Sequence, residues 1–326
     1  MKRSSTMLRI SLIAAAFSLA AAAGPNLARA AGGSEIPREN WSFAGMFGSF
    51  DSNQLQRGFR VYKDVCSTCH GLSRIAFRNL IQKGGPEFPE AGVRSLAATF
   101  KIEDGPDDKG KMFTRPGRLS DYLPSPFKNE QEARAVHNAY PPDLSLMARA
   151  RNPEYIGPLW YQPLAMLKDI ATGYQEGGAD YIHALLTSFH ENPPAYRRES
   201  NGKLVPVADK DVRDEKSVVR CTSVDHGEAG KEDTCNMLAD GMHYNTAFPG
   251  HQIAMAPPLV DGQIRYTDGT PSTVDNYARD VAAFLSWTAD PSLEARKALG
   301  WQVLLYLLVT TVLLYLGKRV IWRDVH

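Results

Sequence analysis

Cys66-Ser67-Thr68-Cys69-His70 closes the stretch LQRGFRVYKDVCSTCH, residues 55–70, and its reading decides the fold. Two thiols separated by two residues on a helical turn can add to the two vinyl groups of one porphyrin, and the adjacent imidazole can ligate its iron. That is the pattern of covalent c-type haem attachment. A thioredoxin-like dithiol shares the spacing but needs a βαβ context, which the flanking sequence lacks. Half of a zinc site needs a second ligand pair at zinc-finger spacing, and none follows. Working back from Cys66, the residues Leu55, Phe59, Tyr62 and Val65 recur at steps of three and four. They predict an amphipathic helix that runs into the motif, capped by Asp51 or Ser52. Gly58 lies inside it at a cost of about 1 kcal/mol relative to alanine. A close helix crossing or simple tolerance accounts for it equally well.

The candidate crossing partner lies at residues 271–285. Thr270 can cap it with Pro271 in the first helical position, and Val274, Tyr277, Val281, Phe284 and Leu285 form one apolar stripe. Two such helices, one carrying the haem motif and one near the end of the domain, are the frame of a class I cytochrome c. The expected fold is therefore mainly α, by analogy at the level of the fold, with long loops between the two helices.

The two ends place this domain. Lys2, Arg3 and Arg9 precede an uncharged, alanine-rich run that ends at Ala28-Arg29-Ala30, which predicts a removable secretory signal over residues 1–30. Residues 298–317 form an uncharged run of twenty, mostly Leu and Val. As a helix it covers the roughly 30 Å core of a bilayer. Lys318, Arg319 and Arg323 follow it, so residues 318–326 are expected in the cytoplasm. Residues 31–297 are then expected on the periplasmic side of the inner membrane, joined to the anchor by a short connector at 286–297. Without the two ends, 30 basic face 35 acidic residues. That acidic balance argues against nucleic acid and for a basic protein partner.

Between the frame helices, residues 83–125 are rich in glycine and proline and carry an acidic cluster at Glu103, Asp104, Asp107 and Asp108. Helices are expected at 131–138, 144–151 and 179–189. Residues 197–240 are highly charged, lack a sustained apolar period and read as an insertion. They hold Cys221 and Cys235, which an oxidising compartment joins in a disulfide. Closing a loop of about 15 residues stabilises by about 3 kcal/mol in the chain-entropy model.

The second axial ligand decides the function class, because a thioether raises the potential and closes the iron, whereas an open iron suits a haem peroxidase. The methionines after the motif are Met112, Met147, Met166, Met237, Met242 and Met255. Met255 stands out in IAMAPPL, residues 253–259, which two prolines stiffen just ahead of the second frame helix. His243 and His251 are its rivals.

Taken together, WSFAGMFGSFD (41–51), LQRGFRVYKDVCSTCH (55–70), PPDLSLMARAR (141–151), DYIHALLT (180–187), FPGHQIAMAPPL (248–259) and the tail anchor resemble the cytochrome c1 family. The resemblance spans nearly the whole chain. It implies one haem c, with thioether links at Cys66 and Cys69, His70 as proximal ligand and Met255 as distal ligand. It also implies that Arg149, or Arg151, and Tyr181 approach the haem propionates. Residues 152–173 form a longer connection than in many relatives. The implied role is electron transfer within a quinol:cytochrome c reductase, beside cytochrome b in a dimeric complex. The Rieske iron–sulfur protein is the implied donor and cytochrome c the acceptor, and the chain itself performs no bond chemistry. Two other readings stand beside it: a stand-alone membrane-anchored cytochrome c donating to a terminal oxidase, and a haem peroxidase.

Overall fold

Helix α1, Ser52–Asp64, starts where the Asp51 carboxylate accepts hydrogen bonds from the backbone N–H groups of Asn53 and Gln54, satisfying donors that a helix start leaves open. This is a computed structural model, and it describes residues 36–151, 158, 160–174, 176–212, 214–226 and 232–323. The expected signal, residues 1–30, and the tip of the tail lie outside the described residues. Leu55, Gly58, Phe59, Val61 and Tyr62 of α1 are buried. They pack against the last helix of the domain, Val274–Ala289, whose buried side includes Tyr277, Ala278, Val281, Phe284, Leu285 and Trp287. The Phe284 ring meets Phe59 edge-on at 5.6 Å and lies 6.0 Å from Tyr62. A Cβ added at Gly58 would stand 2.1 Å from the Asp280 carbonyl oxygen and 2.7 Å from the Phe284 Cβ. Close crossing, rather than tolerance, explains this glycine.

Helix Val274–Ala289 begins later than its sequence indicates. Thr273, not Thr270, accepts from the Asn276 N–H, and the Asp261 carboxylate accepts from the Val274 N–H at 2.7 Å. Pro271 stays in the lead-in before the helix, where its carbonyl accepts from the Thr273 N–H and from the Asn276 side chain. At the crossing, Arg57 holds the buried Asp280 carboxylate through two nitrogens, at 2.8 and 3.1 Å.

Between the frame helices run α2 (Glu90–Ala98), a hairpin of β1 (Lys101–Asp104) and β2 (Phe113–Pro116), α3 (Glu130–His137), α4 (Met147–Ala150), α5 (Gln162–Thr172) and α6 (Gly177–Thr187). Asn129 caps α3, and Asn138 ends it in the left-handed region at φ 57°. Helix α4 is shorter than the expected 144–151, because Asp143 and Ser145 are committed to a clip described below.

The expectation of a mainly α domain holds for the frame only. After α6, β3 (Phe189–His190) pairs with β9 (His243–Asn245), which pairs with β10 (Gln252–Ile253). In the insertion, β4 (Ala195–Arg198) lies between β5 (Leu204–Val207) and β6 (Val219–Arg220), and β7 (Ser223–Asp225) pairs with β8 (Thr234–Asn236). Strands of two to four residues are too short to show alternation in the sequence. The Cys221–Cys235 disulfide, with Cα atoms 5.3 Å apart, ties this part together.

The frame helix Val274–Ala289, now α7, is followed after only residues 290–292 by α8, Leu293–Ile321. Helix α8 is long and apolar enough to cross a membrane, and the expected connector is mostly helix. The opening segment packs on its first turns: the Glu294 carboxylate accepts from the Phe50 N–H at 2.8 Å, and the Lys297 ammonium donates to the Phe43 carbonyl at 2.6 Å. The other end of that segment is held by α6, where buried Asp180 accepts from the Trp41 indole at 2.7 Å and from the Glu39 N–H at 3.0 Å.

Candidate haem-attachment site

The CSTCH motif leaves α1 as one tight turn, in which the N–H groups of Cys69 and His70 both donate to the Cys66 carbonyl, at 3.1 and 2.8 Å. The residues between the cysteines fasten this turn to the helix end. Ser67 donates to the Lys63 carbonyl at 2.7 Å and Thr68 to the Val65 carbonyl at 2.8 Å. The Tyr62 hydroxyl donates to the His70 carbonyl at 3.1 Å.

The imidazole is set by the PPDLS stretch. His70 Nδ1 lies 2.8 Å from the Pro142 carbonyl oxygen. A carbonyl only accepts, so the proton is on Nδ1 and the lone pair is on Nε2, the arrangement that orients a ligating histidine. Burial lowers the His70 pKa and so favours the neutral, ligating form. Pro142 is itself held in place. The Asp143 carboxylate accepts from the N–H groups of Ser73, at 2.8 Å, and Ser145, at 2.9 Å, while the Leu144 N–H donates to the Gly71 carbonyl at 2.9 Å. This clip joins the loop after the haem motif to PPDLS.

The thiols have the wrong character for a redox dithiol. Burial pushes the Cys66 thiol up to about 12, with Cys69 adding to the effect, whereas a reactive CxxC cysteine has a lowered pKa. Among the described residues no cluster of three His, Cys, Asp or Glu side chains is arranged to hold a metal ion. The donor set therefore fits a covalently attached haem: two thiols on one turn and a single imidazole with a defined tautomer.

Met255 is half-buried, two residues beyond β10. The β3-β9-β10 sheet hangs its loop from the C-terminal end of α6, since β3 follows that helix. A cavity of about 520 Å³ flanks this loop, lined in part by Leu186, Met242, His243, Pro257 and Leu259; His70 and its two cysteines are not in its wall. Of the other methionines, Met112, Met166 and Met237 stand exposed on the surface, and Met147 packs against the core. His243 faces Ile253 in the sheet register, and His251 has a buried Nδ1 without a hydrogen-bond partner.

The two arginines of PPDLSLMARAR diverge. Arg149 is paired with Asp290 at the end of α7. Arg151 lies within electrostatic reach of Tyr181, where burial raises the phenol pKa and the Arg151 charge opposes the rise. The approach of α6 to α4 produces this pairing: a Cβ at Gly178 would stand 1.7 Å from the Ala148 carbonyl oxygen and 2.7 Å from that of Arg151. Neither the Asp143 clip nor the close approach at Gly178 is among the site residues that the sequence indicates. The Asp of PPDLS and the Gly177-Gly178 pair were the signals available for them.

The Cytochrome C1 family matches residues 41–325. The chain is 40% identical to the cytochrome c1 of Blastochloris viridis over 97% of this chain and 96% of that one. It is 41% identical to the cytochrome c1 of Rhodospirillum rubrum over 90% of each. It is 46% identical to a protein of Bradyrhizobium diazoefficiens named cytochrome b/c1, over 92% of this chain and 37% of that protein. Proteins of this family carry one covalent haem c, for which the CSTCH turn, the oriented His70 and the two free cysteines are suited. By its fold-spanning match and by the chemistry of this turn, the chain belongs to the cytochrome c1 family.

Proposed function

We propose that this chain is the haem-bearing electron-transfer subunit of a quinol:cytochrome c reductase, taking single electrons from a Rieske iron–sulfur protein and passing them to a cytochrome c. The observation that carries the reading is the His70–Pro142 hydrogen bond, 2.8 Å long, in a turn whose free cysteines are Cys66 and Cys69. The haem supplies a one-electron iron couple when bound. The chain's own residues do the rest. Cys66 and Cys69 would hold the macrocycle by thioether links, His70 would offer Nε2 to the iron, and Met255 would be the second protein ligand, excluding other ligands. Arg151 and Tyr181 hold the propionates by charge and hydrogen bond, offsetting their desolvation. Helix α8 crosses the inner membrane with residues 318–326 in the cytoplasm, and residues 1–30 serve as the export signal. Two relatives' names support a place beside cytochrome b: the Bradyrhizobium protein is named cytochrome b/c1, and a Candida albicans protein, 35% identical, is named the catalytic subunit of a cytochrome b-c1 complex.

Oxidised and reduced optical spectra of the tagged protein, purified gently from native membranes, test this reading. Bands of b-type haem in fixed proportion to the c band, with inhibitor-sensitive reduction by quinol, are expected. A c band alone, from membranes whose complexes stay intact, replaces the subunit with a stand-alone carrier. The Met255 assignment is tested separately: reduced Met255→Ala binds carbon monoxide and the wild type does not. Rapid binding by the wild type overturns the closed iron and favours a peroxidase.

A further inference from the structure

Helix α5 leaves an apolar stripe uncovered. Trp160, just before it, is 76% exposed, and Leu164, Met166 and Leu167 are also exposed. Trp160, Leu164, Leu167 and Ala171 recur at steps of four, three and four, which places them along one side of the helix. The opposite side holds Asp169, paired with Arg38 at 2.9 Å. The end of α5 rests on the opening segment: a Cβ at Gly173 would stand 3.2 Å from the Met46 nitrogen, and one at Gly45 3.8 Å from the Thr172 carbonyl oxygen. Next to them Phe47, 76% exposed, meets the Trp301 ring edge-on at 5.8 Å.

Trp301 fixes the level of this surface. It is the fourth residue of the uncharged run that begins at Ala298, so at 1.5 Å per residue it lies about 5 Å inside that run's outer end. That is the headgroup boundary, where Trp and Tyr concentrate. Phe47 touches Trp301 and stands at the same depth, and the exposed surface continues through Met46 to α5. Lys168, four residues after Leu164, is an exposed cation beside the stripe. An apolar stripe flanked by a cation suits an interfacial helix. We propose that α5 and the loop at residues 44–48 form a second attachment to the bilayer, lying in the phospholipid headgroup region beside α8. The occupant is lipid, because the surface is continuous with the membrane helix at the level of its outer end. The proposal rests on reading α8 as membrane-crossing.

Spin labels on the full chain, in its complex and reconstituted into phosphatidylcholine nanodiscs, test it. Single cysteines at Leu167→Cys and Phe47→Cys are compared with Leu308→Cys, within α8, and Lys109→Cys, on the β1–β2 loop. Thioether and disulfide formation leave no other reactive thiol in this chain, and the complex without the added cysteine, labelled in parallel, gives the background from its other subunits. The expected ratio of oxygen to nickel-chelate accessibility at 167 and 47 is about threefold or more above that at 109, and below that at 308. Ratios equal to that at 109 overturn the attachment. Labels shielded from both reagents also overturn it, because the patch then lies against another protein subunit. A watery label at 308 removes the membrane-helix reading, and the proposal with it.

Discussion

At Gly58 a single methyl group would stand 2.1 Å from a backbone oxygen of the opposite frame helix, and neither helix can yield without disturbing Phe284 and the Arg57–Asp280 pair. Gly58→Ala gains about 1 kcal/mol of helix propensity but overpacks the crossing. A net loss of about 2 kcal/mol is expected, since overpacking typically costs about 1–3 kcal/mol and a backbone clash belongs at the upper end. Chemical denaturation of the purified protein, followed by far-UV circular dichroism, measures it. The arginines make a second prediction at this scale. If the propionates lie where proposed, Arg151→Gln removes a cation from them and lowers the haem reduction potential, whereas Arg149→Gln leaves the potential in place and loses only the link to Asp290. Potentiometric titration of both variants decides between them. The haem motif was legible because its chemistry is local in sequence. The divergence of Arg149 and Arg151 was not, because it depends on Asp290, far along the chain, and on how closely Gly178 lets α6 approach.

Among the elements, the frame helices α1 and α7 were legible because their large apolar residues repeat over several turns, long enough for a 3.6-residue period to show, although α7 is buried nearly all round. The hairpin β1–β2 was not. It is secured by Arg115, which pairs with Asp104 and, at 2.6 Å, with Asp121. The Arg115 guanidinium holds the Asp121 carboxyl down to about 2, with the Arg118 N–H adding to the effect. A depressed carboxylate stabilises the fold fully above its unfolded pKa, about 3.9, and loses that contribution as pH falls towards the folded value. Asp121→Asn is therefore less stable than the wild type at about pH 6, and the two converge as pH falls from about 4 to 2. Urea midpoints at a series of pH values check this; a constant difference between the two proteins rules the clamp out.

Across the whole molecule, the acidic excess outside the anchor steers a basic acceptor in the proposed role. The cluster that stood out in the sequence is smaller in the fold, since Asp104 is engaged by Arg115 and Asp107 accepts from the N–H groups of Lys109 and Lys111 to close a turn. Steering therefore arises from the summed field. The transfer rate to a basic cytochrome is expected to fall about tenfold or more between low and high salt, as screening shortens the reach of the field. Stopped-flow measurements at several ionic strengths test this, and a flat profile ends the steering idea while leaving the haem site untouched. The joint between domain and anchor has a mechanical consequence. Only residues 290–292 separate α7 from α8. Asp290 is gripped by Arg149 and Arg296, and Glu294 and Lys297 are bolted to the opening segment. A rod clamped at several points around its base transmits torque instead of swivelling, so the domain rides with its anchor as one stiff body. In the proposed role, the height of the haem above the bilayer is thereby a fixed length, and the shuttling of a relay falls to the partners.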